Sequence, residues 1–466
     1  MQVLSVASEC APLVKTGGLA DVAGALPGAL APLGIRMRTL VPGYPAVTAA
    51  AGEGRATWHG DLFGGPARVL ESGAAGLDLL VLDAPHLFAR EGSIYLGPDG
   101  RDWPDNPERF AALSWTAAAI AGRGLDGWRP DILHGHDWQA GLAPVYLREG
   151  HPGAGVGTVL TIHNVAFQGL ADADRLGSLR LPASGMTAEG FEYWGRISAL
   201  KAGLVWSDRI TTVSPTYAAE LMRPEFGMGL DGLLRARARD LVGILNGVDT
   251  EEWAPPYRLP SGKRRHTEAL RAEMGLPDAP GPLCVVVSRL TAQKGLDLLL
   301  EALPALLEGG GQLALLGSGD PALEHAFREA AERHRDVAVR IGYDEGLARR
   351  LVTGGEAILV PSRFEPCGLT QLYGLRFGTI PVVALTGGLA DTVIPATLAG
   401  LWARAATGIQ VHPVTADALA RALRQLCALH GDAETWKGMQ RRAMCHPVGW
   451  ERSAGDYAAL YKALTG

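Results

Sequence analysis

No stretch of this chain approaches the roughly eighteen consecutive apolar residues that a membrane-spanning helix needs, so a membrane is not an expected partner. There is no basic block or stripe either. The formal net charge is −6, which disfavours nucleic acid as a partner. Cysteine is scarce: Cys10, Cys284, Cys367, Cys427 and Cys445 are scattered, odd in number and include no C-x-x-C pair. That usage fits a reduced, cytoplasmic protein without structural zinc. The N-terminus lacks a basic leader and carries Glu9 inside its apolar run, so it reads as a strand rather than a secretory signal. Lysine is rare: of 43 basic residues only Lys15, Lys201, Lys263, Lys294, Lys437 and Lys462 are lysines. A lysine beside a glycine turn is conspicuous in such a chain.

What is present is the composition of an ordinary globular protein. Hydrophobic residues make up 47% and charged residues 20% of 466 positions, too long for one common core, so two domains are expected. Short β-branched runs alternate with helix-like stretches. "QVLSVAS", "MRTLVP", "LDLLVLD", "DILHGH", "TVLTIHN" and "RITTVS" come before a Pro/Gly-rich break. "LCVVVSRL", "QLALLG", "VAVRIGY", "EAILVPS" and "IPVVAL" follow it. This is the βαβ alternation of doubly wound parallel sheets. The hinge falls near "NGVDTEEW", giving expected domains at 1–242 and 243–447, with 448–466 as a terminal helix returning to the first domain.

Four stretches carry chemistry. "KTGG" (15–18) follows a strand and opens a helix, where Gly17 and Gly18 let the backbone approach an anion and Lys15 adds a mobile charge. The alternative is a plain glycine turn with a solvated lysine. "SRLTAQKGLD" (288–297) sets Arg289 and Lys294 in one strand-to-helix loop, a pair able to neutralise a diphosphate. "SRFEPCGLTQLYG" (362–374) combines the Glu365 carboxylate with amides of Cys367, Gly368, Leu369 and Thr370 at a helix start. Cys367 itself reads as a small buried hydrophobe rather than a nucleophile. "LLGSGDPA" (315–322), a G-x-G-x-x-A from Gly317, admits a dinucleotide oxidoreductase as a rival, although a lone match at the second strand of its half is weak.

Other features are more equivocal. "LHGHDWQAG" brings His134 and His136 to one strand end as a metal pair might be, but lacks further ligands; Asp137 reads better as a polar group aimed into a site. "TIHN" ends a strand on His163, and "DAD" (172–174) reads as loop. "TGGLAD" occurs at 16–21 and again at 386–391, either by chance or because two similar halves each present a glycine-opened helix to a ligand.

Taken together, "KTGGLADV", "RDWPDNPERF", "HGHDWQAGLAP", "TIHNVAFQG", "ILNGVD", "SRLTAQKGLD", "GYDE", "PSRFEPCGLTQLYGLRFGTIP" and "TGGLADTV", in this order over nearly the whole chain, resemble the bacterial glycogen synthases and plant starch synthases. That family has the α/β GT-B architecture, two Rossmann-like domains facing across a deep cleft. The resemblance implies retaining transfer of glucose from ADP-glucose to the non-reducing end of glycogen or another α-1,4-glucan, without cofactor or metal. It implies that Lys15 with Gly17 and Gly18, Arg289 and Lys294 bind the diphosphate, and that Glu365 holds the glucose. His163 is implied nearby, with Asp137 beside the reacting centre. Tyr343 is implied on the adenine, Asn246 in the sugar pocket and Tyr95 on the acceptor side. Asp21 and Gly317 belong to the implied binding set. Two positions depart from common patterns: Gln139 stands where many relatives carry histidine, and Tyr373 where the wider superfamily often has a second glutamate. A glucan-binding protein without turnover is a further alternative, disfavoured because it would have no use for the full Lys15, Arg289, Lys294 and Glu365 set.

Overall fold

The computed structural model describes residues 1–466, which fold as two compact units, Met1–Asn246 with Trp450–Gly466, and Gly247–Gly449. No helix is long and apolar enough to cross a membrane.

In the first unit a large sheet is built from β1 (Gln2–Val6), β2 (Arg36–Pro42), β3 (Arg55–Asp61), β4 (Pro66–Ser72), β5 (Leu79–Asp83), β6 (Ile132–His136) and β7 (Gly157–Ile162). A small antiparallel ribbon of β8 (Leu170–Asp172), β9 (Glu192–Tyr193) and β10 (Arg196–Ser198) intervenes before β11 (Arg209–Thr212) and β12 (Leu241–Gly243) complete the nine strands. The order is β12-β11-β7-β6-β1-β2-β5-β4-β3. β1 pairs in parallel with both β2 and β6, so the chain reverses its direction of travel across the sheet between β1 and β6. Ligands of open α/β sheets bind at such a switch point, outside the carboxyl ends of the strands.

The expected strands are all present, but the sheet is not wholly parallel. β3 and β4 form an antiparallel hairpin whose second strand pairs antiparallel with β5. Every residue of β3 is exposed or half-buried, so no apolar alternation marked it in the sequence. "DAD" is likewise not all loop, since Asp172 ends β8.

The terminal helix Glu451–Thr465 buries Ala454, Tyr457, Ala458 and Tyr461, a helical three-to-four spacing. These pack against Val3, Val22, Leu26, Ile132 and Val159 of the first unit. Burial of each tyrosine ring contributes about 1.5–3 kcal/mol. The Tyr461 hydroxyl bonds His134 Nδ1 at 2.7 Å, while His134 Nε2 meets Thr161 Oγ1 at 2.6 Å. Both nitrogens of His134 thus serve packing, and no group of three or more ligating side chains gathers as a metal site.

The second unit holds β13 (Leu283–Val287), β14 (Gln312–Gly317), β15 (Val337–Ile341), β16 (Ala357–Val360), β17 (Ile380–Ala384) and β18 (Ile409–Val411). All pairs are parallel, in the order β15-β14-β13-β16-β17-β18. The switch point lies between β13 and β16. One buried lysine braces this unit. Lys263 Nζ donates to Thr379 Oγ1 (2.6 Å), the Thr353 carbonyl (2.8 Å) and the Phe377 carbonyl (3.3 Å), joining the C-terminal ends of the helices Glu345–Gly354 and Thr370–Arg376. Burial pulls the Lys263 ammonium down to about 7, and its protonated form suits the negative ends of both helix dipoles.

Candidate active site

Each unit assembles polar side chains at its own switch point. In the first, the loop leaving β1 carries Glu9, which is buried although no motif singled it out. Its carboxylate accepts from the Thr16 amide (2.5 Å), the Thr16 hydroxyl (2.9 and 3.0 Å), the Gly17 amide (3.2 Å) and the Tyr95 hydroxyl (3.1 Å). Burial nonetheless outweighs these bonds and raises the Glu9 pKa. This corrects the reading of the "KTGG" turn: the Gly17 amide faces Glu9 rather than standing free for a phosphate. Gly17 is extended and a side chain there would meet nothing within 4 Å, so the outer side of the turn is open. Helix Gly18–Leu30 begins immediately after it. Lys15, half-exposed, is ion-paired with Asp21 of that helix's first turn at 2.7 Å. The Tyr95 hydroxyl also bonds Ser8 Oγ at 2.7 Å, so its phenol is tied into the Glu9 cluster.

Across the switch point, Asp137 follows β6 with a backbone φ of +55°, a left-handed conformation uncommon for a non-glycine residue. Its Oδ1 accepts from the His163 amide at 2.7 Å and the Asn164 amide at 3.4 Å. Burial pushes this carboxyl up to about 7 despite those bonds. His163, at the end of β7, has its ring Nε2 3.0 Å from His136 Nδ1. Gln139 and Asn246 are both buried, and the side-chain oxygen of each has no hydrogen-bond partner.

In the second unit, Lys294 leaves β13 and Glu365 leaves β16, the two strands flanking the switch point. Lys294 Nζ lies 2.6 Å from Glu365 Oε2, which also accepts from Ser362 Oγ at 2.8 Å. The two loops are tied further by Arg363, whose guanidinium grips the Asp297 carboxylate at 2.7 and 2.5 Å and holds its pKa below the usual range. Arg289 is exposed at the mouth of the same loop, without a carboxylate partner. Cys367 is buried, as a packing residue should be. Gly368 has φ +71°, the left-handed turn that sets up helix Thr370–Arg376. Tyr343, just beyond β15, is 87% exposed.

The second "TGGLAD" has a supporting role instead of offering a ligand turn. The Gly388 amide donates to the carbonyls of Glu365 (3.2 Å) and Pro366 (3.0 Å), and a side chain at Gly387 would strike the Glu365 carbonyl. The glycines are there so that this turn can lie against the Glu365 loop. The "GSGDPA" turn is also filled from within. The Gly319 amide donates to Glu324 Oε1 at 3.0 Å and the Asp320 amide to the Leu290 carbonyl at 2.7 Å. A side chain at Gly317 would strike the Ser288 carbonyl, so close packing accounts for that glycine and leaves the dinucleotide reading without its phosphate cradle. Glu9 and Ser362 are polar partners that sequence reading passed over, and the sequence offers His136 only as half of a metal pair; only folding shows what each touches.

Comparison with known proteins extends along both units. Residues 2–236 match the starch synthase catalytic domain family and residues 281–428 the glycosyl transferases group 1 family. The chain is 65% identical to a glycogen synthase of Paracoccus denitrificans and 59% identical to one of Jannaschia sp., with 99% of each chain covered in both cases. Among solved structures it is similar to the catalytic domain of starch synthase IV from Arabidopsis thaliana bound to ADP and acarbose. That match has a TM-score of 0.89 at 29% identity, with 99% of both chains covered. The fold alone is shared with a sucrose-phosphate synthase from Thermosynechococcus elongatus, at TM-score 0.61 and 21% identity over 99% of this chain and 98% of that one.

Proposed function

Since the chain belongs to the glycogen and starch synthase family of GT-B glycosyltransferases, we propose that it transfers glucose from ADP-glucose to the non-reducing end of an α-1,4-glucan such as glycogen, with retention, releasing ADP. The observation that carries this reading is the second unit's switch point, where Lys294 and Glu365 form a partly buried pair and the loop that carries Lys294 also carries the exposed Arg289. When the glycosidic bond to a nucleoside diphosphate breaks, negative charge grows on the departing phosphate. Lys294, held by Glu365, and Arg289 from the same loop are the cations that take it up. Glu365, steadied by Ser362, then orients sugar hydroxyls, and the amides of Cys367–Thr370 serve the phosphate oxygens. Charge neutralisation by these side chains makes a metal ion unnecessary to the mechanism.

We assign Asp137 and His163 to the sugar side of the reaction, Lys15 to an anionic group of the substrate with Asp21 as its ion-pair partner, Tyr343 to the adenine ring, Asn246 to the sugar pocket, and Tyr95 to the acceptor side. The acceptor hydroxyl attacks from the face the phosphate leaves, and the departing phosphate takes its proton. A single well-placed carboxylate, Glu365, beside a cation does not match the paired carboxylates of a retaining hydrolase. We place the reaction in the cytoplasm, in keeping with five cysteines that form no disulfide.

The test is release of ADP from ADP-glucose with and without glycogen, beside a UDP-glucose sample, in buffer containing a chelator. Glycogen-dependent ADP release in the chelator supports the proposal. Release from neither donor while glycogen is still bound would replace it with a carbohydrate-binding role, and release only from UDP-glucose would overturn the donor assignment.

A further inference from the structure

Three histidines lie in a row beneath the first unit's switch point, and their bonding settles a question of proton placement. His134 is spent on Tyr461 and Thr161, and its ring lies against that of His136 with centroids 4.3 Å apart at 37°. His136 is fully buried, and its only hydrogen bond joins its Nδ1 to His163 Nε2 at 3.0 Å. His136 Nε2 is buried with no partner at all. His163 Nδ1, the remaining nitrogen of the pair, has no protein partner either, but unlike His136 Nε2 it is not sealed off from the surface and can meet solvent or a ligand.

Burial holds both rings in the neutral form: His136 is pulled down to about 3, and His163 well below its usual value. Two neutral imidazoles can share this bond in two ways. If His163 donates, His136 must carry its proton on Nε2, leaving a buried N–H with nothing to accept it. If His136 donates from Nδ1, its orphan Nε2 is a bare acceptor, and an unsatisfied acceptor is better tolerated in protein interiors than an unsatisfied N–H. In that second arrangement His163 accepts at Nε2 and must carry its own proton on Nδ1, the one nitrogen of the pair where solvent or a ligand can accept it.

We propose that His136 is a positioning residue that fixes His163 as the Nδ1–H tautomer, so that His163 presents a hydrogen-bond donor, and not a base, to an oxygen of the bound sugar. The part concerning sugar rests on the glucosyltransferase reading; the tautomer does not. A donor at this position recognises a hydroxyl oxygen without abstracting its proton, which suits a reaction whose proton goes to the departing phosphate. The unpartnered Nε2 is the cost of that choice, tolerated because it is the smaller of two penalties.

The first measurement is a long-range ¹H–¹⁵N spectrum of the ¹⁵N-histidine-labelled wild-type protein at pH 8, with His163→Gln and His136→Asn spectra assigning the two rings. The expected result is an Nδ1–H pattern for both His136 and His163. An Nε2–H pattern for His163 would overturn the proposal whatever the enzyme's substrate. The second measurement is kinetic. His136→Phe removes the donor and should lower kcat at least about tenfold with little change in donor KM, the loss of one oriented hydrogen bond. His136→Asn, whose amide N–H₂ can stand where Nδ1–H stood, should recover most of it. Equal activity of His136→Phe and wild type, or equal impairment of the two variants, would also overturn it. Were wild type inactive towards every glucose donor, the function proposed above would fail while the spectrum still decided the tautomer.

Discussion

Asp137→Asn separates what this site costs the fold from what it gives to catalysis. In the native protein burial pushes the Asp137 carboxyl from 3.8 up to about 7, whereas in the unfolded chain it returns to the lower value. Between those values the native state holds a proton that the unfolded state has released. Stability attributable to Asp137 is therefore lost as pH rises through this window, and the penalty is complete above it. A shift of about three units sets a ceiling of about 4 kcal/mol, at 1.36 kcal/mol per unit. Asparagine has the same shape, stays neutral, and can still accept the His163 and Asn164 amides through its carbonyl oxygen. The variant should therefore gain stability over wild type by about 1–3 kcal/mol more at pH 8 than at pH 5, while turnover falls. Urea unfolding at the two pH values, compared pairwise so that other titrating groups cancel, measures this directly. A pH-independent difference, or a variant less stable than wild type at pH 8, would refute the reasoning.

The Lys294–Glu365 pair gives a second test. Lys294→Met strands a carboxylate that is only partly reached by solvent and should cost about 3–5 kcal/mol, with Glu365→Gln in the same chain recovering part of it; additive losses in thermal unfolding would contradict the coupling. Glu9→Gln removes the charged acceptor of Thr16 and Gly17, so amide exchange over Thr16–Gly18 should accelerate by about tenfold, and unchanged protection there would show that Glu9 does not hold the turn. Glu365→Ala should leave ADP affinity within a few-fold while turnover drops by roughly 10² or more, as read by calorimetry and ADP release; parallel loss of both would point to a folding role.

Much of the fold was legible because periodicity and punctuation are local. Buried parallel strands such as "LCVVV" and "QLALLG" are continuous apolar runs, and glycine or proline marks their ends, so alternation with helices followed from the letters. The edge hairpin β3–β4 was not legible, since a solvated strand has no apolar face to betray it and its pairing is fixed by neighbours elsewhere in the chain. The same division runs through the site. Lys15, Arg289, Lys294 and Glu365 stood out because their residue types at strand-to-helix turns suit an anionic sugar donor.

Which groups touch was decided only by folding. Lys294 and Glu365 are brought together because β13 and β16, far apart in sequence, are neighbours at the switch point. Glu9 meets the Gly17 amide because the loop after β1 folds back on itself, and His136 meets His163 because β6 lies beside β7. The sequence by itself therefore determined the kinds of element, the family and the charged groups available for chemistry. Tertiary structure decided their partners, and with them which amide is taken by a carboxylate and which carboxyl has its pKa raised to about 7. Those properties depend on burial and on distances of about 3 Å between residues that the chain order keeps apart.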